Sequence, residues 1–427
     1  MRKGRSFRVA VGLVGLAVAA GACGSAGSGG GQAGNANSSA APVRAGPPGT
    51  VSWTRTVPGS VGPEGLVAEG GKVYAAAGTA VLALDPASGA VLWSHTEPHA
   101  TYNHVFAAPF GLVVDGSVES YQAGIDTIPA SNFVEAFTTS GNLIWRKPYA
   151  NMLYGLGAGA DGALLVTLDV GVGGEDIVIS PTGAMRSSPF DYGGDLPTAN
   201  PVLNDLVITG SRAFIPVIPP TGSPALLTID PLTGMAGPGA VDINLPASIF
   251  AYAGESLLRV VDGPGSELAV VFAPSGNPAG AQTFLVDPST DKVVGQAALD
   301  VVASTGKAWV AGNGDTAAVM SPAASISWKD PMSTASFVGS VGSTLVYTDT
   351  SGGDNGLLPV PTSGYQLVGI SAGDGHQLWS QPFPGSVNLT LDMSQLPVAV
   401  SVGSNVILAA TPGNFSLHTG LLLGVQG

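Results

Sequence analysis

The chain has 427 residues, 45% of them hydrophobic, and carries 15 Lys and Arg against 29 Asp and Glu for a formal charge of −14. So few basic residues cannot build a stripe that follows phosphates, which excludes nucleic acid as a partner. A single cysteine excludes an intrachain disulfide, so stability must come from packing.

In chain order, Arg2, Lys3, Arg5 and Arg8 form a positive n-region, Val9 to Ala20 an apolar h-region, and Ala20-Gly21-Ala22 a small-residue ending before Cys23. That order is a secretory signal, and its apolar stretch falls short of the roughly 20 residues a bilayer span needs. The ending resembles the lipobox of bacterial lipoproteins, with Ala20 in place of the commoner Leu. The resemblance implies cleavage after residue 22 and a diacylglyceryl group on Cys23. Residues 23–49 then read as a lipidated Cys and a Gly/Ser/Ala-rich flexible tether, which spans roughly 25–30 Å on average. Loss of the four basic signal residues takes the charge to −18, from 11 basic against 29 acidic residues.

From residue 50 to 427 the chain is organised by a repeat. Its clearest copy runs Val81 to Trp93: an apolar strand, a turn carrying Asp85 and Gly89, and a second strand holding Trp93. Asp at the first turn position can bond the backbone ahead, Pro86 presets φ, and Gly89 supplies a backbone conformation that other residues resist. A close relative runs from Leu367 through Gly375 to Trp379, and shorter turns precede Trp145 and Trp328. Three further copies keep the strand and turn without the Trp, through Ile179–Gly183, through Asp230 and Gly234, and through Asp287. Two more strands per unit are predicted between copies, in the first unit at Gly65–Ala68 and Lys72–Ala77, which makes a four-stranded meander recurring every 33 to 57 residues or so.

The chain ends complement each other. Gly49-Thr50-Val51-Ser52-Trp53 is the second half of a copy, and Gly420 to Val425 is a first half. Joined, they close a ring and remove the sheet edge that an open array would leave. The expected fold is therefore an all-β β-propeller of eight four-stranded blades, with seven as the alternative, closed by an N-terminal strand that completes the last blade. Five of the six Trp (Trp53, Trp93, Trp145, Trp328 and Trp379) share one repeat position and are expected to stack against the neighbouring blade; Trp309 does not share it.

The pattern Ala-x-Asp-x-x-Ser/Thr-Gly-x-x-x-Trp, as in Ala83 to Trp93, resembles the pyrrolo-quinoline quinone (PQQ)-type propeller repeat. That repeat builds eight-bladed quinoprotein dehydrogenases and also non-catalytic propeller lipoproteins of the bacterial envelope. For the enzymes the resemblance implies a quinone bordered by a disulfide between adjacent cysteines, a calcium ion on carboxylate and amide ligands, and an Asp base. This chain has no adjacent cysteine pair, and none of its residues can be matched to the calcium ligands or the base.

Other motif matches dissolve on inspection. Gly157 to Gly162 fits G-x-G-x-x-G, but an apolar strand-like run follows where a dinucleotide site needs a helix. Ser371 fits the centre of G-x-S-x-G, yet it holds the first turn position that Asp85, Asp230 and Asp287 hold elsewhere. The acidic stretch from Asp349 to Asn355 lacks EF-hand spacing. His95, His99 and His104, three of five histidines, are the candidate metal ligands, although Pro98 interrupts them and a polar loop between blades is the plainer expectation.

Together these readings point to a non-catalytic, membrane-anchored extracytoplasmic propeller that binds an envelope protein or glycan, with no cofactor. A quinoprotein-like PQQ- or metal-dependent oxidoreductase and a small-ligand sensor are the alternatives. The longer stretches His95 to His104, Gly116 to Ser131 and Ser351 to Tyr365 are the expected contact segments.

Overall fold

A computed structural model describes residues 47–427 apart from short segments and the longer stretches 191–205, 234–255 and 350–365. The expected signal, Cys23 and most of the expected tether lie outside the described residues, as do Gly234 and the expected contact segment 351–365.

Each repeat becomes an antiparallel meander whose strands run from an inner first to an outer fourth. Blade 1 comprises Leu66–Glu69, Lys72–Ala77, Ala80–Leu84 and Val91–Thr96. Blades 2, 3, 5, 6 and 7 follow with four strands each, and three strands of blade 4 are described. Blade 8 closes the ring, because the N-terminal strand Val51–Val57 pairs antiparallel with the C-terminal Gly420–Gln426. In that blade the inner strand is split in two, Val387–Leu389 and Ala399–Val402, which pair successive stretches of Asn405–Pro412. The protein is an eight-bladed, all-β propeller.

The middle strands are apolar on both faces, as in Lys72–Ala77 and Ala80–Leu84, and each face is buried against a neighbouring blade. Alternating antiparallel strands put the turn between third and outer strands (the outer turn) at one end of every blade, with the first-to-second turn. Second-to-third connections and blade-to-blade crossings gather at the opposite end.

The repeat residues meet across the seams between blades. The indole N–H of Trp53 donates to the carbonyl of Pro86, that of Trp93 to Thr139, that of Trp145 to Pro181 and that of Trp328 to Ala372, at 2.9–3.2 Å. Each acceptor is the second residue of the next blade's outer turn. Each indole also covers that turn's left-handed glycine. A Cβ at Gly89 (φ +67°) would lie 2.5 Å from Trp53, and one at Gly375 (φ +76°) 2.6 Å from Trp328. Trp379 covers Gly49 (φ +82°) in the same way, so Gly49 is the outer-turn glycine of blade 8. Turn polarity follows the repeat: Asp85 Oδ1 accepts from the N–H of Ala87 and Ser88, while Asp230 and Asp287 bond their own turns. Ser371 does the backbone part of the same job, its N–H bonding His376 and its carbonyl accepting from Gly375, which leaves the G-x-S-x-G match explained by the turn. Gly159 and Gly162 flank a hairpin, as expected.

Three seams, those between blades 3 and 4, 4 and 5, and 5 and 6, lack the docked Trp, and the last two fill its place differently. Between blades 4 and 5, the Arg212 guanidinium donates to the carbonyl of Pro288 and pairs with Asp291 at 2.9 Å. Between blades 5 and 6, the Trp position holds Gly295, and Trp309 of blade 6 reaches back instead. It is fully buried among Ala269, Leu285 and Leu299, and it lies so close to Gly263 that no Cβ fits there.

Because Trp53 is in the closing strand and partly buried, Trp53→Ala should cost up to the about 3–5 kcal/mol of a core Trp and lower Tm by several degrees in thermal unfolding. Leu92→Ala, on the exposed neighbour of Trp93, should leave Tm nearly unchanged. An unchanged Tm for Trp53→Ala would remove the closure role.

Candidate functional site

The buried charges concentrate around blade 2. Its strands are Ala100–Ala108, Gly111–Val118, Ser131–Phe137 and Leu143–Tyr149. In blade 1 the middle strands turn hydrophobic groups to both seams. In blade 2 Glu135, 1% exposed, occupies the third strand and stands opposite Arg146 of the outer strand. Arg146 donates to Glu135 Oε1 at 3.0 Å and pairs with Glu97, at the end of blade 1, while its guanidinium lies 3.8 Å over the Phe133 ring. The Tyr102 hydroxyl donates to Glu135 Oε2 at 3.0 Å. Burial raises the Glu135 pKa against the opposing pull of Arg146 and Tyr102. Burial also raises that of Tyr102, reinforced by the Glu135 charge. Burial opposes the Arg146 charge, yet the bond to Glu97 and the field of Glu135 outweigh it.

The other face of blade 2 carries a second polar group. His104 Nδ1 lies 2.6 Å from Asp115 Oδ1, and Asn103 Nδ2 donates to Oδ2 at 3.4 Å. Asn103 is the extra residue of a β-bulge in the inner strand, which turns both side chains toward the same carboxylate. Burial, helped by the Asp115 charge, raises the Tyr149 pKa.

The three histidines are therefore not brought together. His95 packs tilted on Phe137, with centroids 4.9 Å apart, and its ring lies with the carboxylates of Glu97 and Glu135, all ligand atoms within 4.8 Å of one another. His99 stacks on Tyr121 at 4.0 Å and 11°. The expectation of a polar loop is corrected: His95 lies in Val91–Thr96, His104 in Ala100–Ala108, and only His99 lies in the connection between them, with φ +66°. His95, Glu97 and Glu135 have the donor types for a divalent cation, but the Arg146 charge already sits between the two carboxylates and Tyr102 takes the remaining oxygen of Glu135. The geometry is that of an ion-pair lock across the blade 1–blade 2 seam. Sequence reasoning missed Glu135, Arg146 and Tyr102. The only available signal was charge in otherwise apolar strand positions.

Beside this lock, blade 2 bears an insertion. Tyr121–Ala123 and Asp126–Ile128 pair only with each other as a small hairpin between its second and third strands. The Glu119 N–H donates to the His99 carbonyl at 3.1 Å, and the His99–Tyr121 stack ties the hairpin to the crossing from blade 1. This places the expected contact stretches His95 to His104 and Gly116 to Ser131 side by side at the end of the ring opposite the outer turns. Residues 350–365 join Asp349 to Gln366, which are paired at that same end of blade 7.

No family model matches the chain, and no curated protein matches it. Solved structures do. BamB from Moraxella catarrhalis aligns over 88% of this chain and 100% of its own, at 13% identity and a TM-score of 0.48. The C-terminal WD40 domain of Sif2 aligns over 87% of this chain and 97% of its own, at 9% identity and 0.51. Quinohemoprotein alcohol dehydrogenase from Comamonas testosteroni aligns over 88% of this chain and 76% of its own, at 10% identity and 0.48. At such identities the likeness is one of fold, that of the β-propellers, a fold that hosts unrelated functions.

Two variants probe the buried charges. Arg146→Met strands the Glu135 carboxylate, and losing one member of a buried pair costs about 3–5 kcal/mol. The double variant Glu135→Leu/Arg146→Met should recover most of that in urea unfolding, and a double no better than the single variant would contradict the lock.

Asp176 of blade 3 is 1% exposed with Oδ1 unbonded, and burial raises its pKa to about 8. Between roughly pH 4 and pH 8 the folded state keeps this proton while the unfolded state loses it, so the group lowers stability as pH rises through that window. Asp176→Asn should raise Tm at pH 8 more than at pH 5. Equal gains at both would show an ordinary carboxylate.

Proposed function

We propose that this chain is an exported lipoprotein, held by Cys23 on the outer face of the cell membrane, whose propeller is a non-catalytic binding module for an envelope protein or glycan. The observation that carries this reading is the difference between the two ends of the ring. At one end the outer turns repeat nearly the same bonds from blade to blade, because the docked indoles require them. At the other, second-to-third connections range from Gly78–Thr79 in blade 1 to a hairpin in blade 2 and residues 350–365 in blade 7. Recognition on a rigid scaffold belongs to the segments that differ.

Asp85, Gly89, Trp93 and their repeats are accounted for by turns and seams, and the most polar buried cluster is a closed ion-pair lock. The lone cysteine offers no adjacent pair of the kind the quinoprotein resemblance implies. The acidic balance favours a basic or neutral partner, with charge acting more on encounter rate than on final affinity.

Photo-crosslinkers at Thr101 and Ser131, on the connection end, should capture one partner reproducibly in intact cells, whereas those at Ser88 and Asn142, in outer turns, should not. Cys23→Ala should release the protein from membranes. Stoichiometric binding of PQQ with calcium, followed by dye-linked oxidation of alcohols or sugars, would overturn the binding-module reading in favour of an oxidoreductase.

A further inference from the structure

The exposed apolar side chains are not scattered. Of the ten large hydrophobic residues exposed among the described residues, nine lie in an outer turn or within the first few residues of the outer strand after it. Leu92, Ile144, Met185, Val294, Ile326 and Leu378 stand there in blades 1, 2, 3, 5, 6 and 7, and Leu92 and Leu378 are 48% and 46% exposed. Only Ile128, in the blade 2 hairpin, lies at the other end. Single exposed apolar residues need no explanation, but one or two in each of blades 1 to 7 on a single rim form a ring.

The eighth blade supplies what that ring faces. Its outer-turn glycine is Gly49, which lies under Trp379 as Gly89 lies under Trp53, with its N–H 2.6 Å from the Gln426 carbonyl. The segment that precedes the propeller therefore joins it on this rim. Between Cys23 and that point lie only 25 residues, a reach of roughly 25–30 Å for a flexible Gly/Ser-rich chain.

We infer that the outer-turn rim is the membrane-facing side of the propeller, and that its aliphatic ring rests on a lipid surface of zwitterionic headgroups. The inference rests on the Cys23 anchor proposed above. Acidic residues on this rim (Glu69, Asp85, Asp161, Asp230, Asp287 and Asp374) outnumber the basic ones (Lys72, Arg186, Lys292 and Lys307). A surface of this sign is repelled by anionic lipid, so the contact is apolar and interfacial rather than electrostatic. The tether does the holding, and by keeping the rim near the bilayer it lets weak, spaced apolar contacts act. The variable connections then point away from the membrane.

The test uses the full-length lipidated chain in phosphatidylcholine vesicles carrying lipids spin-labelled near the headgroup. Lipidation blocks the Cys23 thiol, so a dye can be attached at Leu92→Cys, Leu378→Cys or Ser131→Cys in turn. Quenching at positions 92 and 378 should exceed that at 131 several-fold. It should fall when half the lipid is phosphatidylglycerol, and fall at 92 when Ile144→Asp and Leu378→Asp are added, with the protein still sedimenting with the vesicles. Sedimentation with equal quenching at all three positions would overturn the rim contact alone. Failure to sediment would overturn the anchor, and the rim contact with it.

Discussion

The structure depends on one contact: an indole from the outer strand of a blade laid over the left-handed glycine of the next blade's outer turn, with its N–H bonded to that turn's second carbonyl. A four-stranded sheet that is apolar on both faces cannot fold alone, since neither face can be left in water. The indole joins sheet to sheet and contributes large apolar area together with one directional bond. It also fixes its surroundings. The cross-strand partner is small in four of the five cases, Ala83, Ala136, Gly369 and Gly424, with Val319 opposite Trp328, and in the two glycine cases the indole lies so close that a Cβ would overlap it. The turn must offer a positive φ, which Gly supplies without strain and which Asp291 and Ala324 supply where no docked Trp demands the space or a single methyl suffices.

This dependence explains why the fold could be read from the sequence. Trp, turn glycine and turn Asp lie within a dozen residues of one another, so each copy announces itself locally, although the contact is made with a different copy. The half-copies at Gly49–Trp53 and Gly420–Val425 carried the closure for the same reason. Trp309 and Arg212 could not be read in that way. Trp309 works from a second strand and backwards round the ring, and Arg212 reaches 76 residues along the chain to Pro288. No local spacing encodes either.

The candidate site was legible only in part, and the failure has a physical cause. Three histidines within ten residues look like a cluster, but strand geometry disperses them: alternate side chains go to opposite seams, and the bulge at Asn103 shifts the alternation by one. His95 ends on the seam with blade 2, His99 in the crossing, and His104 on the Asp115 side. What does converge, Glu97 with Glu135 and Arg146, comes from the crossing after blade 1 and two strands of blade 2 and is separated by up to 49 residues.

Why the ends of the ring differ follows from the same contact. An outer turn that must present a carbonyl, a left-handed residue and a length held to within one residue to an incoming indole has little freedom to lengthen or to change sequence. The connections at the opposite end face no such demand, since their strands are already paired and the seam is filled before the chain leaves it. Insertions are therefore tolerated there at the modest cost of loop closure. Blade 2 shows what such freedom requires in return. Its hairpin is too small to hold itself in place, and it is held by the stack of Tyr121 on His99 and the bond from Glu119. The ion pairs of Arg146 beneath fix the end of blade 1 from which that crossing starts. Buried charges of this kind add little net stability over a hydrophobic seam. Their effect is geometric: they set where an exposed hairpin stands relative to a rigid ring.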